Sequence, residues 1–368
     1  MKYFLIAGEL SGDQHAGRLM QALREKDQEA EFQFLGGDNM SQFGGKPIVH
    51  IKEMAFMGFT KVLANLGKIR INFQKARHAI IKFYPDVIIF VDYPGFNLRM
   101  AKWAKSRGYS THYYIAPAVW AWNTRRVYKL KKYCDRLYSI LPFEKDFFKK
   151  YGLDVDYVGN PVYEDIERIQ ADLPDVNPTE SRKIALLPGS RRQEIQRVLP
   201  EMLAVIDHFE EYEFVIAAMD SHKALYDSLI PKDCRVSLEY NRPLEILNES
   251  AAALVTSGTA TLETALMGIP QIVCYKAGHL SYLIAKSLIK VEYISLVNLI
   301  LNGPAIPELI QGNLKSEYII DCLKSILPGG PNHEDQLEIS DLVREKLGDA
   351  KVSNVLAELI TSRLNSLG

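Results

Sequence analysis

Short apolar runs alternate with amphipathic segments from the first residues of the chain, and this order leaves few folds open. In the first half, runs typical of strands occupy residues 3–7, 31–35, 86–91, 110–115 and 137–141, with helical patterns between most of them. Residues 87–91 are apolar at every position, as expected for a strand that helices cover on both faces. The first half therefore predicts a doubly wound parallel sheet.

The same order restarts after a polar, proline-containing stretch at residues 172–178. Further strand-like runs follow at residues 183–187, 213–217, 235–238, 252–256 and 271–275. We predict two Rossmann-like α/β domains, residues 1–172 and 180–334, and C-terminal helices at 335–368 that pack on the first domain or on a partner subunit. Because open parallel sheets bind ligands beyond the carboxyl ends of their strands, we expect the two domains to face a cleft.

Composition excludes several classes of protein. Hydrophobic residues make up 47% of the 368 and charged residues 24%, which is typical of a globular protein. A formal net charge of −1 gives no overall attraction to nucleic acid. Four dispersed cysteines form no C-x-x-C pair, so neither a zinc site nor a disulfide framework is predicted, and a reducing cytoplasm is expected. No apolar run is long enough to span a bilayer.

Two motifs of the first domain are expected at strand ends. The stretch at residues 8–13 matches neither the dinucleotide nor the P-loop fingerprint. It either contacts a ligand or forms a tight turn in which Ser11 or Asp13 caps the following helix. Asp92 follows the most apolar strand, where a carboxylate can act as a general base, although a turn residue would occur there equally well. Spacing alone does not show whether Asp92, Glu9 or Asp13 is the base. The candidate site residues are Glu9, Ser11, Gly12, Asp13 and Asp92.

Two motifs of the second domain suit a nucleotide diphosphate. Each follows a strand and opens a helix, whose N-terminal amides favour anions. An arginine in the first and an acid one turn into the helix of the second would bind phosphate and ribose hydroxyls, respectively. The alternative is a pair of ordinary turns with a capping residue and surface side chains. The candidate residues are Gly189, Ser190, Arg191, Ser257, Gly258, Thr259 and Glu263.

A basic, apolar segment spans residues 54–83, within a stretch that has no acidic residue between Glu53 and Asp86. Most of its apolar stripe fits a helix that faces the core, but the surplus apolar residues suit contact with an anionic membrane surface. The predicted contact residues are Met57, Phe59, Val62, Leu63, Leu66 and Ile69. RNA competes as a ligand for such a surface, but no RNA-binding signature occurs. Asp154 and Asp156 match a metal-binding spacing, but a turn is predicted there and no metal.

In this order the motifs resemble those of the lipid-A-disaccharide synthase family, which are inverting glycosyltransferases of the GT-B fold. The resemblance is carried by residues 7–13, 116–122, 141–144, 187–191, 257–260 and 293–298. It implies transfer of 2,3-diacylglucosamine from its UDP derivative to the 6-hydroxyl of 2,3-diacylglucosamine 1-phosphate (lipid X), which yields a β-1′,6 disaccharide 1-phosphate and UDP. It also implies an enzyme of lipid A and lipopolysaccharide biosynthesis without metal or cofactor, peripheral on the cytoplasmic face of a Gram-negative inner membrane.

The resemblance also assigns residues. It implies that Asp92 is a candidate base and that Arg191 and Asn298 bind the nucleotide. The chain departs from the family where Gly95 replaces a common acid and where Asn160, a predicted substrate-binding residue, replaces a common histidine. Two alternatives remain open at this stage: a UDP-N-acetylglucosamine 2-epimerase or other GT-B enzyme with a soluble substrate, and a non-catalytic nucleotide-sugar or lipid-binding module. A homo-oligomer is also left open.

Overall fold

The computed structural model describes residues 1–54, 65–278 and 291–366. Contacts divide the chain into two compact units. Unit 1 comprises Met1–Pro161 and Asp349–Gly368, and unit 2 comprises Val162–Gly348. Within the described ranges, no helix combines the length and apolar character needed to cross a bilayer.

Unit 1 is built on a parallel sheet. Its strands are β1 (Lys2–Ala7), β2 (Glu31–Gly36), β3 (Val49–His50), β4 (Val87–Val91), β5 (Thr111–Tyr114), β6 (Arg136–Ser139) and β7 (Asp156–Tyr157). They lie in the order β3-β2-β1-β4-β5-β6-β7. The strand order therefore reverses between β1 and β4, where Ala7 pairs with Val91. Such a reversal opens a crevice at the carboxyl ends of the two strands.

Helices cover both faces of this sheet. They are α1 (Leu10–Lys26), α2 (Asp38–Gly44), α3 (Leu66–Phe83), α4 (Pro94–Ser106), α5 (Val119–Trp122), α6 (Val127–Tyr133) and α7 (Glu144–Lys149), with 3₁₀ turns at Ile51–Glu53 and Thr124–Arg126. All five residues of β4 are buried, as predicted from its unbroken apolar run. Side chains on the two faces of β4 enter separate clusters, with Ile88 in one and Ile89 in the other.

Unit 2 repeats the design. Its strands are β8 (Lys183–Leu187), β9 (Glu213–Ala218), β10 (Val236–Tyr240), β11 (Ala252–Thr256), β12 (Gln271–Tyr275) and β13 (Glu308–Ile310). The order is β10-β9-β8-β11-β12-β13, all parallel, with the reversal between β8 and β11. Leu187 pairs with Val255 at that point. The predicted strands at residues 183–187, 252–256 and 271–275 match β8, β11 and β12 in both bounds.

The helices of unit 2 are α8 (Pro161–Gln170, whose first residue ends unit 1), α9 (Arg192–Leu203), α10 (Lys223–Leu229), α11 (Pro243–Asn248), α12 (Thr259–Leu266), α13 (Leu296–Leu301), α14 (Ser316–Ile326) and α15 (His333–Leu347). Short 3₁₀ turns occur at Ile206–His208, Asp220–His222 and Gln311–Asn313. The predicted linker at residues 172–178 lies inside this unit. Arg344 of α15 explains why, because it pairs with Glu167 and donates to Gln170 of α8 at 2.9 Å.

The C-terminal region divides between the two units. Gly348, with a φ of 75°, ends α15, and α16 (Val352–Asn365) then belongs to unit 1. Leu356 and Ile360 of α16 are buried in the cluster that also holds residues of α1. Arg363 makes two hydrogen bonds to Asp156, at 2.8 and 2.9 Å. The prediction of a turn at Asp156 is therefore wrong, because this residue begins β7 and anchors α16.

Helix α3 accounts for part of the basic, apolar segment. Ala76 and Ile80 face the core as predicted, and Ile69 packs against it partly buried. Leu66 is 50% exposed. The other predicted membrane-contact residues lie outside the described residues: Met57, Phe59, Val62 and Leu63.

Candidate active site

The two motifs predicted in the second domain meet at the strand reversal of unit 2. Residues 189–191 follow β8, and residues 257–259 follow β11, the strand beside it. A cavity of about 520 Å³ opens there. Its lining includes all seven predicted residues: Gly189, Ser190, Arg191, Ser257, Gly258, Thr259 and Glu263. Its size lies within the range of small-molecule sites, roughly 300–1,000 Å³.

The loop after β8 has a backbone that only glycine adopts readily. Gly189 has a φ of 104°, and a Cβ there would lie 2.8 Å from the Glu194 carboxylate. Arg191 precedes α9 and donates to that carboxylate from its backbone N–H at 3.2 Å and from its guanidinium at 2.8 Å. The Arg191 side chain is 66% exposed, so its guanidinium remains accessible to an anion.

The loop after β11 leads directly into α12. Gly258 has a φ of 145° and immediately precedes the helix. The Ser257 hydroxyl donates to the Ile294 carbonyl at 2.9 Å, so it anchors a neighbouring loop. The first amides of α12 have no acceptor within the helix, which makes this end of the helix electropositive and able to bind a phosphate.

Glu263 lies on α12 inside the same cavity. Burial raises the pKa of its carboxyl above the usual range. Within the described part of the chain, no donor reaches this carboxylate. A partly buried carboxylate without a donor is stabilised by a ligand hydroxyl, which suits the predicted contact with ribose.

Asn298 has a supporting position. It is 1% exposed, and its side-chain amide donates to the Ile306 carbonyl and to Glu308, each at 2.9 Å. Glu308 in turn accepts from the Ile294 backbone N–H at 3.0 Å, and the Ile294 carbonyl accepts from Ser257. Asn298 is thus connected to the cavity through this loop. Glu308 was not among the predicted site residues, because it lies in no local motif.

In unit 1, Asp92 lies at the reversal between β1 and β4, with an unusual backbone. Asp92 and Tyr93 both have positive φ, 44° and 49°. The Asp92 carbonyl accepts hydrogen bonds from the Tyr113 hydroxyl and the Asn97 side chain, both at 2.7 Å. Such backbone strain costs roughly 1–3 kcal/mol per residue and persists only where surrounding bonds impose it.

Burial and the nearby charge of Glu9 raise the pKa of Asp92 from its ordinary value of 3.8 to about 6. A carboxylate with this pKa is suited to accept a proton near neutral pH. Glu9 directly precedes α1, at the end of β1. The intervening Gly8 is required because a Cβ would lie 2.3 Å from the Tyr93 ring. The structure therefore brings Glu9 and Asp92 together.

Asp13 stabilises the backbone at the start of α2. It is fully buried, and its carboxylate accepts from the backbone N–H groups of Gly37 at 2.5 Å and Asn39 at 3.0 Å, at the start of α2. Ser11 is exposed on α1, and Gly12 is buried beside Ala7. The alternative prediction that Ser11 or Asp13 caps α1 is wrong, because the helix begins at Leu10.

Two further polar groups lie beyond β6 and β7. The buried Asn160 donates to the Ile140 carbonyl at 3.0 Å. Glu144, also buried, accepts from the Trp120 indole at 3.0 Å and from the Ile140 backbone N–H at 3.2 Å. Burial raises the pKa of Glu144 to about 7. Glu144 was not among the predicted site residues, although it lies in a segment that carries the family resemblance. Among residues 1–54, 65–278 and 291–366, no three metal-ligating side chains cluster.

Solved structures share this architecture. A UDP-GlcNAc 2-epimerase from Neisseria meningitidis, bound to UDP-GlcNAc, aligns with a TM-score of 0.68 over 98% of this chain and 100% of its own, at 12% identity. The glycotransferase of kitacinnamycin aligns with a TM-score of 0.63 over 99% and 98%, also at 12% identity. The predicted fold of two Rossmann-like domains, as in GT-B enzymes, is confirmed.

Sequence comparison identifies the family. A family model described as lipid-A-disaccharide synthetase matches residues 3–359. The lipid-A-disaccharide synthase of Myxococcus xanthus is 33% identical over 99% of this chain and 97% of its own. That of Syntrophus aciditrophicus is 36% identical over 94% and 93%. The chain therefore belongs to the lipid-A-disaccharide synthase family, a family of glycosyltransferases that make the lipid A disaccharide.

Proposed function

We propose that this protein transfers 2,3-diacylglucosamine from UDP-2,3-diacylglucosamine to the 6-hydroxyl of 2,3-diacylglucosamine 1-phosphate. The reaction forms a β-1′,6 disaccharide 1-phosphate and UDP, with inversion at the anomeric carbon. The observation that carries this proposal is the cavity at the strand reversal of unit 2, which combines an arginine, a helix N-terminus and a partly buried acid. These groups match a diphosphate and a ribose on one ligand.

The leaving group is stabilised without a metal in this mechanism. Negative charge grows on the diphosphate as the glycosidic bond to UDP breaks. The Arg191 guanidinium and the amides at the start of α12 donate to that charge. Both follow neighbouring strands of one sheet, which places them at the same edge. Gly258 supports this role because no side chain blocks the approach to its backbone.

The nucleoside is held by Glu263 in this proposal, through the ribose hydroxyls. The position of Glu263, four residues after Thr259, places it one turn into α12 from the diphosphate amides. The Neisseria meningitidis epimerase, whose structure contains UDP-GlcNAc, has the same fold, which supports a UDP-sugar as donor. Asn298 acts here as a positioning residue for the loop that Ser257 anchors.

Asp92 is the proposed general base. It accepts the proton of the acceptor 6-hydroxyl as that oxygen attacks the anomeric carbon. Its raised pKa supports this assignment, because a base that titrates near 6 is ionised at neutral pH yet still holds a proton readily. The negative charge of Glu9 contributes to the raised pKa of Asp92.

We also propose that the protein works as a peripheral protein on the cytoplasmic face of the inner membrane, where its diacyl substrates reside. Helix α3 supports this placement. It contains no acidic residue and exposes the apolar side chains Leu66, Ile71 and Ile81 at 50%, 52% and 55%. Basic residues combined with exposed apolar side chains favour an anionic membrane surface.

One assay tests the reaction. The purified protein is incubated in detergent with both lipid substrates and EDTA, and UDP and disaccharide are measured together. We expect both products in equal amounts. Arg191→Ala is expected to lower kcat/KM about 10²-fold. The neighbouring Arg192→Ala, an exposed residue that does not line the cavity, is the matched control.

Three results would overturn the proposal. Loss of activity in EDTA would require a metal. Conversion of UDP-N-acetylglucosamine without an acceptor would identify an epimerase. Binding of the nucleotide sugar without turnover, unchanged in Asp92→Asn, would identify a non-catalytic module.

A further inference from the structure

A second cavity lies in unit 1, next to Asp92. It has a volume of about 420 Å³ and is lined by residues of α3 and α4 together with Tyr93. We call it the α3–α4 pocket. Two of its lining residues, Tyr93 and Gly95, lie one and three residues after Asp92 in the chain. A molecule bound in this pocket therefore lies close to the proposed base.

The wall of the α3–α4 pocket is aromatic and held in place. Phe96 stacks on Tyr93 with ring centroids 5.9 Å apart and meets Phe73 edge-on at 5.4 Å. The Tyr93 hydroxyl donates to the Met54 carbonyl at 2.8 Å, which keeps its polar end bonded. Ile69 adds an aliphatic surface. Such a preformed wall suits a hydrocarbon chain, since burial of apolar area drives its binding.

Two cations complete the lining. Arg70 and Arg99 are exposed, and the described residues place no carboxylate in contact with either. None of the described lining residues is acidic. By contrast, Lys105, further along α4, pairs with Asp135, and Arg77 lies over the rings of Phe73 and Trp103. The pocket thus offers guanidinium groups to an anion beside an apolar surface, and guanidinium binds phosphate well.

We propose that the α3–α4 pocket binds the acyl acceptor, with an acyl chain against the aromatic wall and the 1-phosphate at Arg70 and Arg99. This inference rests on the proposed function, which supplies an acceptor that is both acylated and phosphorylated. Charge complementarity and apolar lining together select such an amphiphile over a soluble sugar phosphate. Binding there keeps the acceptor sugar near Asp92.

The charge requirement is tested with two acceptors, 2,3-diacylglucosamine with and without its 1-phosphate. In the wild type we expect the phosphorylated acceptor to have a KM at least about tenfold lower, the range of a charge-assisted bond. The double variant Arg70→Ala, Arg99→Ala is expected to lose this preference while the KM for the UDP-sugar stays unchanged. Lys102→Ala, an exposed cation of α4 outside the pocket, is the matched control.

The acyl requirement is tested by filling the pocket. Gly95 lines the pocket, and a Cβ there meets nothing within 4 Å, so the side chain of Gly95→Leu starts in open space at the pocket wall. This variant is expected to raise the KM for the long-chain acceptor about tenfold or more, while a diacetyl acceptor is affected little. The smaller side chain of Gly95→Ala should give a KM for the long-chain acceptor between the wild-type value and that of Gly95→Leu.

The outcomes separate this inference from the proposed function. If the wild type makes disaccharide and the arginine variant keeps its preference for phosphate, the pocket assignment is wrong and the function stands. If the wild type makes no disaccharide, the proposed function is wrong. The pocket is then tested separately, by comparing direct binding of the phosphorylated acceptor to the wild type and to the arginine variant. If inorganic phosphate competes for the pocket as strongly as the acylated phosphate does, the proposed contact between the acyl chain and the aromatic wall is wrong. Loss of binding to phosphatidylglycerol vesicles with an unchanged acceptor KM assigns the arginines to the membrane surface and overturns the proposal.

Discussion

Replacing Glu9 by glutamine is expected to shift the pH dependence of catalysis and leave the base in place. Asp92 must be ionised to accept a proton, so kcat/KM of the wild type should rise with pH through about 6, the pKa of Asp92 in the folded protein. The negative charge of Glu9 contributes to that value. Its removal makes ionisation of Asp92 easier, and the acidic limb should move to lower pH.

The structure bounds the size of the shift. The rise from 3.8 to about 6 corresponds to roughly 3 kcal/mol in favour of the neutral carboxyl. Burial is the larger cause, and it persists in the variant. We therefore expect the midpoint of the limb to fall by about 1 pH unit or less, which is about 1.4 kcal/mol or less, and to remain above 3.8.

The assay is kcat/KM for the acceptor, measured in detergent from about pH 4 to about pH 8, because this ratio reports the free enzyme. Glu25→Gln, an exposed residue of α1, serves as the control for loss of a negative charge on this element. An unmoved limb in Glu9→Gln would refute the electrostatic coupling. Loss of activity at every pH in Glu9→Gln, together with retained activity in Asp92→Asn, would make Glu9 the base.

Three further predictions concern stability. Asp92→Asn should raise the free energy of unfolding above pH 6 by up to roughly 3 kcal/mol and leave it unchanged below about pH 4. The reason is that folding raises the pKa of Asp92, so that the folded state is destabilised only where this carboxyl is ionised. Denaturant titrations at both pH values check this, and an equal gain at both would contradict it. Gly8→Ala should lower the melting temperature, at a cost of about 1–3 kcal/mol, because its Cβ overlaps the Tyr93 ring, whereas Gly95→Ala should not lower it. Arg363→Ala should speed hydrogen exchange in α16 with a cost of about 1 kcal/mol, since two bonds to Asp156 are lost, and unchanged exchange would show that apolar packing alone holds this helix.

Regular elements of this fold follow from local sequence. The strand β11 and the start of α12 were both predicted, because an apolar run and the small residues after it are signals between close neighbours in the chain. The strands β3 and β13 were not, since two or three residues carry no periodicity. The boundary between the units also escaped prediction, because Arg344 reaches α8 from 174 residues away.

Sequence by itself therefore determined the order of elements, the family and the positions of polar motifs at strand ends, because apolar periodicity and turn chemistry are properties of adjacent residues. Tertiary structure alone decided what each polar side chain contacts. Asp13 and Asn298 engage backbone groups and side chains brought from other elements, whereas Glu263 lines an open cavity. Asp92 acquires its raised pKa only when folding buries it beside Glu9. Hydrogen bonding and desolvation depend on neighbours in space, which a linear pattern does not specify.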